Sequence, residues 1–256
     1  MAKTIAIVNQ KGGVGKTTTA VNLAAALGLQ KQRVLMVDID PQGNCTSGFG
    51  IEKQNLEVSS YDILIDQELA KNAILTTKFR NVDLLPASMD LAGAELELVE
   101  IPERQTRLKK ALATVKEDYD FILLDCPPSL GLITLNALTA SDTFLVPIQC
   151  EYYALEGLSQ LLNTVKTIKR LYNPSIDLEG VVLTMFDNRL NLTQQVVAEV
   201  KKYFPNKVFE TAIPRNVRLS EAPSFGMPVL YYDRGSRGSM AYIALARELI
   251  KKNAKR

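Results

Sequence analysis

Six short runs in this chain are apolar on consecutive positions rather than on alternate ones: TIAIVN (4–9), RVLMVD (33–38), VDLLPA (82–87), FILLDCP (121–127), TFLVPIQ (143–149) and LEGVVLTMF (178–186). A strand that is hydrophobic on both sides must be covered on both sides, so its sheet is central and its connections cross over as helices. Helical spacing appears where such crossovers are needed, in TTTAVNLAAALGLQ (17–30), near SSYDILID (59–66), in LAGAELELV (91–99), RQTRLKKALATVK (104–116) and LITLNALTA (132–140). It recurs over 153–172, 192–204 and 239–252. Right-handed crossovers then give an α/β, doubly wound fold: a mainly parallel sheet with helices on both faces and ligands at the carboxyl ends of the strands. No linker, repeat or low-complexity segment interrupts the pattern, so residues 1–256 are expected to form a single domain.

Composition removes several classes of chemistry. There is no histidine, which excludes imidazole bases and His-ligated metals. The three cysteines, Cys45, Cys126 and Cys150, are odd in number and form no C-x-x-C pair, which argues against a disulfide framework or a zinc site. The N-terminus enters a strand-like run without the pattern of a signal peptide, and no apolar stretch is long enough to span a bilayer. The net charge of +2 hides an asymmetry: residues 1–159 carry 14 Lys+Arg against 20 Asp+Glu, and residues 160–256 carry 16 against 8. A basic C-terminal part points to a polyanionic partner, nucleic acid or anionic lipid; ordinary solvated helix faces are the plainer reading.

The chemistry concentrates in NQKGGVGKTT (9–18). Strand, glycine run and helix in that order form a phosphate-binding loop. Gly12, Gly13 and Gly15 let backbone N–H groups turn inward, and the helix N-terminus adds its positive dipole end. Lys16 reaches the β- and γ-phosphates, the Thr17 hydroxyl can bind Mg²⁺, and Val14 and Thr18 complete the loop around the nucleotide. A glycine-rich stretch alone could be a tight turn; lysine, threonines and helix together select the phosphate reading. The common pattern G-x-x-x-x-G-K-S/T fails by one residue, because Gln10 stands at its first glycine.

The pattern that fits, K-G-G-x-G-K-T-T, resembles the deviant Walker A motif of the ParA/MinD family of ATPases, and the likeness runs from Lys3 to about Leu249. It implies ATP and Mg²⁺ as ligands and a nucleotide-dependent homodimer. In that family the extra lysine, matching Lys11, crosses to the other subunit and contacts its phosphates, so Lys11 and Lys16 are both candidate catalytic residues. VDIDPQGN (37–44) matches the family's first switch, in which Asp40 orients the attacking water; Asp38 and Asp40 are expected at the end of a strand neighbouring the first. An Asp-Pro turn cap is the plainer reading of Asp40. Asp125 in FILLDCPP matches the Walker B aspartate, holding Mg²⁺ through a bound water. No base is identifiable for Cys126, and an iron–sulfur cluster like that of the nitrogenase iron protein is rejected. In IPRNVRLSEAPSFGMPV (213–229) the resemblance makes Pro214 and Asn216 candidates to contact adenine.

Among family members the chain looks most like the small chromosomal ParA proteins of the Soj type, with no N-terminal helix-turn-helix extension expected. That resemblance implies a cytoplasmic, nucleoid-associated partition ATPase. Its ATP dimer binds double-stranded DNA without sequence preference and is released by hydrolysis that a ParB-type (Spo0J-like) partner stimulates. Arg189 and Arg218 match DNA-binding positions, with Lys201, Lys202, Arg234 and Arg237 as further candidates. Three rivals stay open, one of them a metabolic ligase or kinase built on a related nucleotide-binding fold, which would require a small-substrate pocket that the sequence does not identify. A MinD-like membrane-associated ATPase would need a longer amphipathic C-terminus than ARELIKKNAKR offers. A non-hydrolysing nucleotide-gated scaffold would bind and dimerise without releasing phosphate.

Overall fold

The computed structural model describes residues 1–151 and 154–254, without the side chains of residues 154–157 and 192. All six apolar runs form strands, and a two-residue strand not expected from the sequence joins them. In chain order they are β1 (Lys3–Ile7), β2 (Val34–Asp38), β3 (Leu75–Thr76), β4 (Val82–Leu85), β5 (Phe121–Asp125), β6 (Thr143–Gln149) and β7 (Asp177–Thr184). They make one seven-stranded sheet in the spatial order β3-β4-β2-β5-β1-β6-β7. Among the described residues, the edge pair β3–β4 alone is antiparallel.

The α-helices are α1 (Lys16–Leu29), α2 (Asn44–Gly48), α3 (Ser60–Ile65), α4 (Ala70–Ala73), α5 (Leu91–Glu97) and α6 (Arg107–Ala113). Then follow α7 (Leu132–Ala140), α8 (Ala154–Leu171), α9 (Asn191–Tyr203), α10 (Val217–Glu221), α11 (Val229–Tyr232) and α12 (Arg237–Asn253). The helix expected over 153–172 is found from Ala154; Tyr153 lies outside the described residues.

Residue alternation along each strand assigns the two faces. Ile5, Ile7, Met36, Leu84 and Leu123 point into a core shared with α1 and α12. Ala6, Leu35, Leu85, Ile122 and Leu124 point into the opposite core, which takes side chains of α3, α5, α6 and α7. Helix α1 is buried on nearly all sides, from Thr19 through Gly28. This accounts for its run of alanines, whose small side chains let the sheet and α12 approach from opposite directions.

One expectation is corrected here. β2 does not neighbour β1, because β5 lies between them, pairing with both in parallel. The crossover through α1 skips one place, and hydrophobic patterning fixes strand direction but not lateral order. Asp125 of β5 stands in register with Ile7 of β1 and with Asp38 of β2, so the carboxylate of β5 falls between the phosphate loop and the first switch.

Candidate nucleotide site

Residues 8–15 connect β1 to α1 across the carboxyl edge of the sheet. Asn9 pins the loop entrance: its amide donates to the Pro147 carbonyl at 2.8 Å, and its Oδ1 accepts from the Lys11 backbone N–H at 3.0 Å. Gly13 and Gly15 sit at φ 74° and 83°, in the left-handed region that a side chain resists. A Cβ at Gly12 or Gly13 would project into open space, so the loop forms an unfilled cradle. Gly15 caps α1 with no side-chain hydrogen bond to its first turn. Orphan N–H groups there face the cradle, as a polyphosphate requires. From β7, Thr184 Oγ1 donates to the Val14 carbonyl at 2.8 Å and ties the loop to the sheet on its far side.

Two lysines of the loop behave differently. Lys16 is buried, and its Nζ donates to the Lys11 carbonyl at 3.1 Å. Burial lowers its pKa, while Asp125, Cys126 and Asp40 act in the opposite direction. Lys11 is tied to a residue outside the loop, with its Nζ 2.7 Å from Glu151 Oε2 just beyond β6. Its own chain therefore uses its carbonyl and not its ammonium.

Three carboxylates converge at the ends of β2 and β5. Both Asp125 oxygens are buried without a hydrogen-bond partner among the described residues. Burial, then the Asp38 charge, pushes its pKa far up; Thr17 lies close enough to oppose the rise without completing a well-formed hydrogen bond. An orphaned buried carboxylate calls for a proton or a cation. Among the described residues no group of three or more Cys, Asp or Glu side chains could hold a metal unaided. Magnesium suits such a place, because it keeps waters and shares phosphate oxygens rather than needing a protein cage. Asp125 and Thr17 are thus fitted to hold it beside the cradle.

Asp38 has another task. Its Oδ2 accepts from the Thr46 N–H and Oγ1–H, both at 2.7 Å, and its Oδ1 from the Asp40 N–H at 3.1 Å. Burial raises its pKa to about 6 against these bonds. The segment after β2, with its glycine, asparagine and serine, consequently folds as α2: Asp38 supplies the cap that Gly43 cannot. Asp40 is nearly buried, and its Oδ1 accepts from the Gln42 N–H at 2.9 Å, the turn-capping bond anticipated for an Asp-Pro step.

Beside Gly15 and Thr18 opens a cavity of about 520 Å³, lined also by Thr184, Met185, Pro214 and Asn216. Its walls are mostly apolar, as a base requires. Asn216 caps α10 by accepting from the Arg218 N–H at 3.1 Å.

The two arginines expected to bind DNA do not line the same cavity. Arg189 lines a separate cavity of about 750 Å³ together with Arg215 and Arg237, and Arg218 does not. Arg189 forms a two-pronged pair with Asp187 at 2.9 and 2.6 Å, which draws the Asp187 pKa down to about 2. Arg218 pairs with Glu221 at 2.8 Å and Asp233 at 3.2 Å. Lys201 lies elsewhere again, beside Lys251 and Lys252. Sequence reading passed over Glu151, Thr184 and Arg215. Arg215 was visible inside the Pro-Arg-Asn loop, whereas nothing local marks Thr184 or Glu151.

With this geometry in hand, comparison with known proteins is decisive. Residues 2–178 match a family model described as an AAA domain. The chain is 60% identical over 249 residues to the sporulation initiation inhibitor protein Soj of Bacillus subtilis, covering 97% of this chain and 98% of that one. The chain belongs to the ParA/Soj family of chromosome-partitioning ATPases. Another family member, the chromosome-partitioning ATPase Soj of Treponema pallidum, is 49% identical over the full length of both chains. Among solved structures, a cobyrinic acid a,c-diamide synthase of Mycobacterium smegmatis with bound ADP and magnesium superposes with a TM-score of 0.87 at 37% identity, covering 100% of this chain and 97% of that one. The cell division ATPase MinD of Pyrococcus furiosus gives a TM-score of 0.80 at 28% identity, covering 98% and 99%. Among the described residues, no helix is long and apolar enough to cross a membrane.

Proposed function

We propose that this chain is a partition ATPase whose ATP-bound sandwich dimer holds DNA without sequence preference, and whose ParB-type partner triggers release. The observation that carries this reading is the pairing of the Lys11 ammonium with Glu151, outside a loop already served by Lys16. A cation that does not serve its own pocket is available to another. Facing subunits bury phosphate charge between them, and a lysine delivered by each copy offsets that cost.

In the proposed cycle the cradle of Gly12, Gly13 and Gly15 receives the triphosphate, and the cavity beside Pro214 and Asn216 takes the base. Thr17 and Asp125 would hold magnesium, which would supply positive charge beside the β- and γ-phosphates. Asp40 orients a water toward the γ-phosphorus, Lys16 and the partner copy's Lys11 stabilise the charge on the transferred group, and ADP and phosphate leave. Pairing two copies doubles the phosphate contacts available to DNA, and counterion release makes affinity rise steeply with that number.

DNA retention measured with ATP, with ADP and without nucleotide across a salt series tests the reading. Strong binding should require ATP and fall steeply with salt; equal binding in all three states refutes it. The arginines give a sharper version. Arg189→Ala with Arg218→Ala should shallow the slope of log affinity against log salt by about 0.9 for each DNA phosphate left unneutralised, with ATP-dependent dimerisation intact. An unchanged slope removes both residues from the DNA surface.

The Lys11–Glu151 pair makes a further prediction. It competes with delivery of Lys11 to a partner, so Glu151→Gln should lower the ATP concentration needed for half-maximal dimerisation. Both side chains are partly exposed, which limits the effect to about two- to fivefold, in line with up to ~1 kcal/mol for such a pair. An ATP titration followed by light scattering decides; an unchanged or raised requirement shows that the pair does not restrain Lys11.

A further inference from the structure

Helix α7 begins without a cap of its own. Gly131 stands at its N-cap in an extended conformation, φ −81° and ψ −164°, with no side chain to take the free N–H groups of the first turn. The cap comes from another crossover. Glu95 of α5 accepts from the Leu132 N–H at 2.8 Å and the Ile133 N–H at 3.3 Å. Its charge sits at the positive end of the helix. Burial of Leu91, Ala94 and Leu98 fixes the face that α5 turns to the core, and Glu95 lies half-buried at the border of that face. A side chain at position 131 is incompatible with this cap. A Cβ there would lie 2.3, 2.5 and 2.7 Å from the carboxylate atoms of Glu95 and would push them off the helix start.

The segment held in this way is the one that leaves Asp125. Residues 126–131 run from the end of β5 to the start of α7. At the sheet, the Cys126 N–H donates to the Ile7 carbonyl at 3.4 Å, and the Ile39 N–H to the Asp125 carbonyl at 3.1 Å. At the helix, Thr134 Oγ1 donates to the Ser129 carbonyl at 2.6 Å. Between these anchors stand Pro127 and Pro128, whose φ is fixed. So short and stiff a connection carries a shift of the α7 start toward Asp125 rather than absorbing it.

We propose that Glu95 is a positioning residue for ATP hydrolysis. By capping α7 from α5 it sets the loop that leaves Asp125, and with it the carboxylate beside the phosphate cradle. The inference rests on the ATPase reading above. Glu95 touches neither the cradle nor the cavity beside Asn216, so its removal acts on turnover and not on nucleotide binding.

The test reads four quantities on the full-length chain: amide hydrogen exchange, single-turnover phosphate release, binding of a fluorescent ATP analogue and thermal unfolding. Glu95→Ala removes the cap. Gly131→Ala evicts Glu95 without replacing it, at a backbone conformation that alanine adopts freely. Both should speed exchange of the Leu132 and Ile133 amides by about tenfold. Both should slow phosphate release by about tenfold or more while the analogue binds as in wild type. Glu95→Ala combined with Gly131→Asp returns a carboxylate to the N-cap, in space that the shortened side chain vacates, and should restore exchange and turnover together. Wild-type exchange or wild-type turnover in either single variant overturns the inference. So does a loss of turnover that only matches the unfolded fraction or the loss of nucleotide binding, since that is a structural role. Failure of the combined variant to recover overturns it as well. If the wild-type control releases no phosphate, the ATPase reading itself fails and this inference with it.

Discussion

Lys11→Ala is expected to abolish ATP-dependent dimerisation while the single chain still binds ATP. The two halves of that result have separate causes. Lys11 contributes to its own phosphate loop through its backbone: its N–H donates to Asn9 and its carbonyl receives Lys16. Alanine preserves both bonds, so the cradle keeps its shape. What alanine removes is an ammonium whose partner among the described residues is Glu151. In an ATP dimer that ammonium would meet phosphate in a desolvated interface. Removing one member of such a pair costs on the order of 3 kcal/mol, more than a hundredfold in affinity, and the symmetric dimer loses two. DNA retention should vanish with the dimer. Light scattering with saturating ATP, beside binding of a fluorescent ATP analogue, measures both halves. A persisting dimer peak removes the trans role from Lys11. Lost nucleotide binding would show that its side chain serves its own pocket after all.

Much of this site can be read without coordinates, and the reason is locality. The loop, its lysines and the Walker B aspartate are fixed by neighbours within a few positions, at the junction of a strand with a turn or helix. The six long strands were legible because burial on both faces leaves an unbroken apolar run. What stayed hidden depends on lateral order and distant contacts. No pattern around Val34–Asp38 says that β5 will separate it from β1. The helix α2 forms from a segment with glycine, asparagine and serine because Asp38, eight positions before Thr46, caps it. The two-residue strand β3 is too short to have a period. Glu151 meets Lys11 across 140 positions. Arg189 and Arg218 read alike in sequence, yet each is neutralised by its own carboxylates, and only one lines the basic cavity with Arg215 and Arg237.

Asp40→Ala is expected to produce the opposite phenotype to Lys11→Ala: a dimer that forms with ATP, holds DNA and does not let go. Asp40 is set at the first switch by two backbone bonds, its own N–H to Asp38 and its Oδ1 from Gln42. Neither bond touches the phosphate loop, so alanine leaves the cradle and Lys16 in place. Electrostatics favours ATP binding in the variant. Asp40 adds negative charge beside Asp38 and Asp125 and raises the pKa of each, and a γ-phosphate entering there meets one carboxylate fewer once it is gone. Turnover is affected differently, because an unoriented water loses a catalytic contribution of about 10²- to 10⁴-fold. Single-turnover phosphate release should therefore fall by at least about a hundredfold, while ATP-dependent DNA retention matches or exceeds wild type. Partner protein should not restore release, since it can position a switch but not replace a missing carboxylate. Rapid phosphate release from Asp40→Ala, alone or with partner, would assign water orientation to another group and leave Asp40 only the turn it caps.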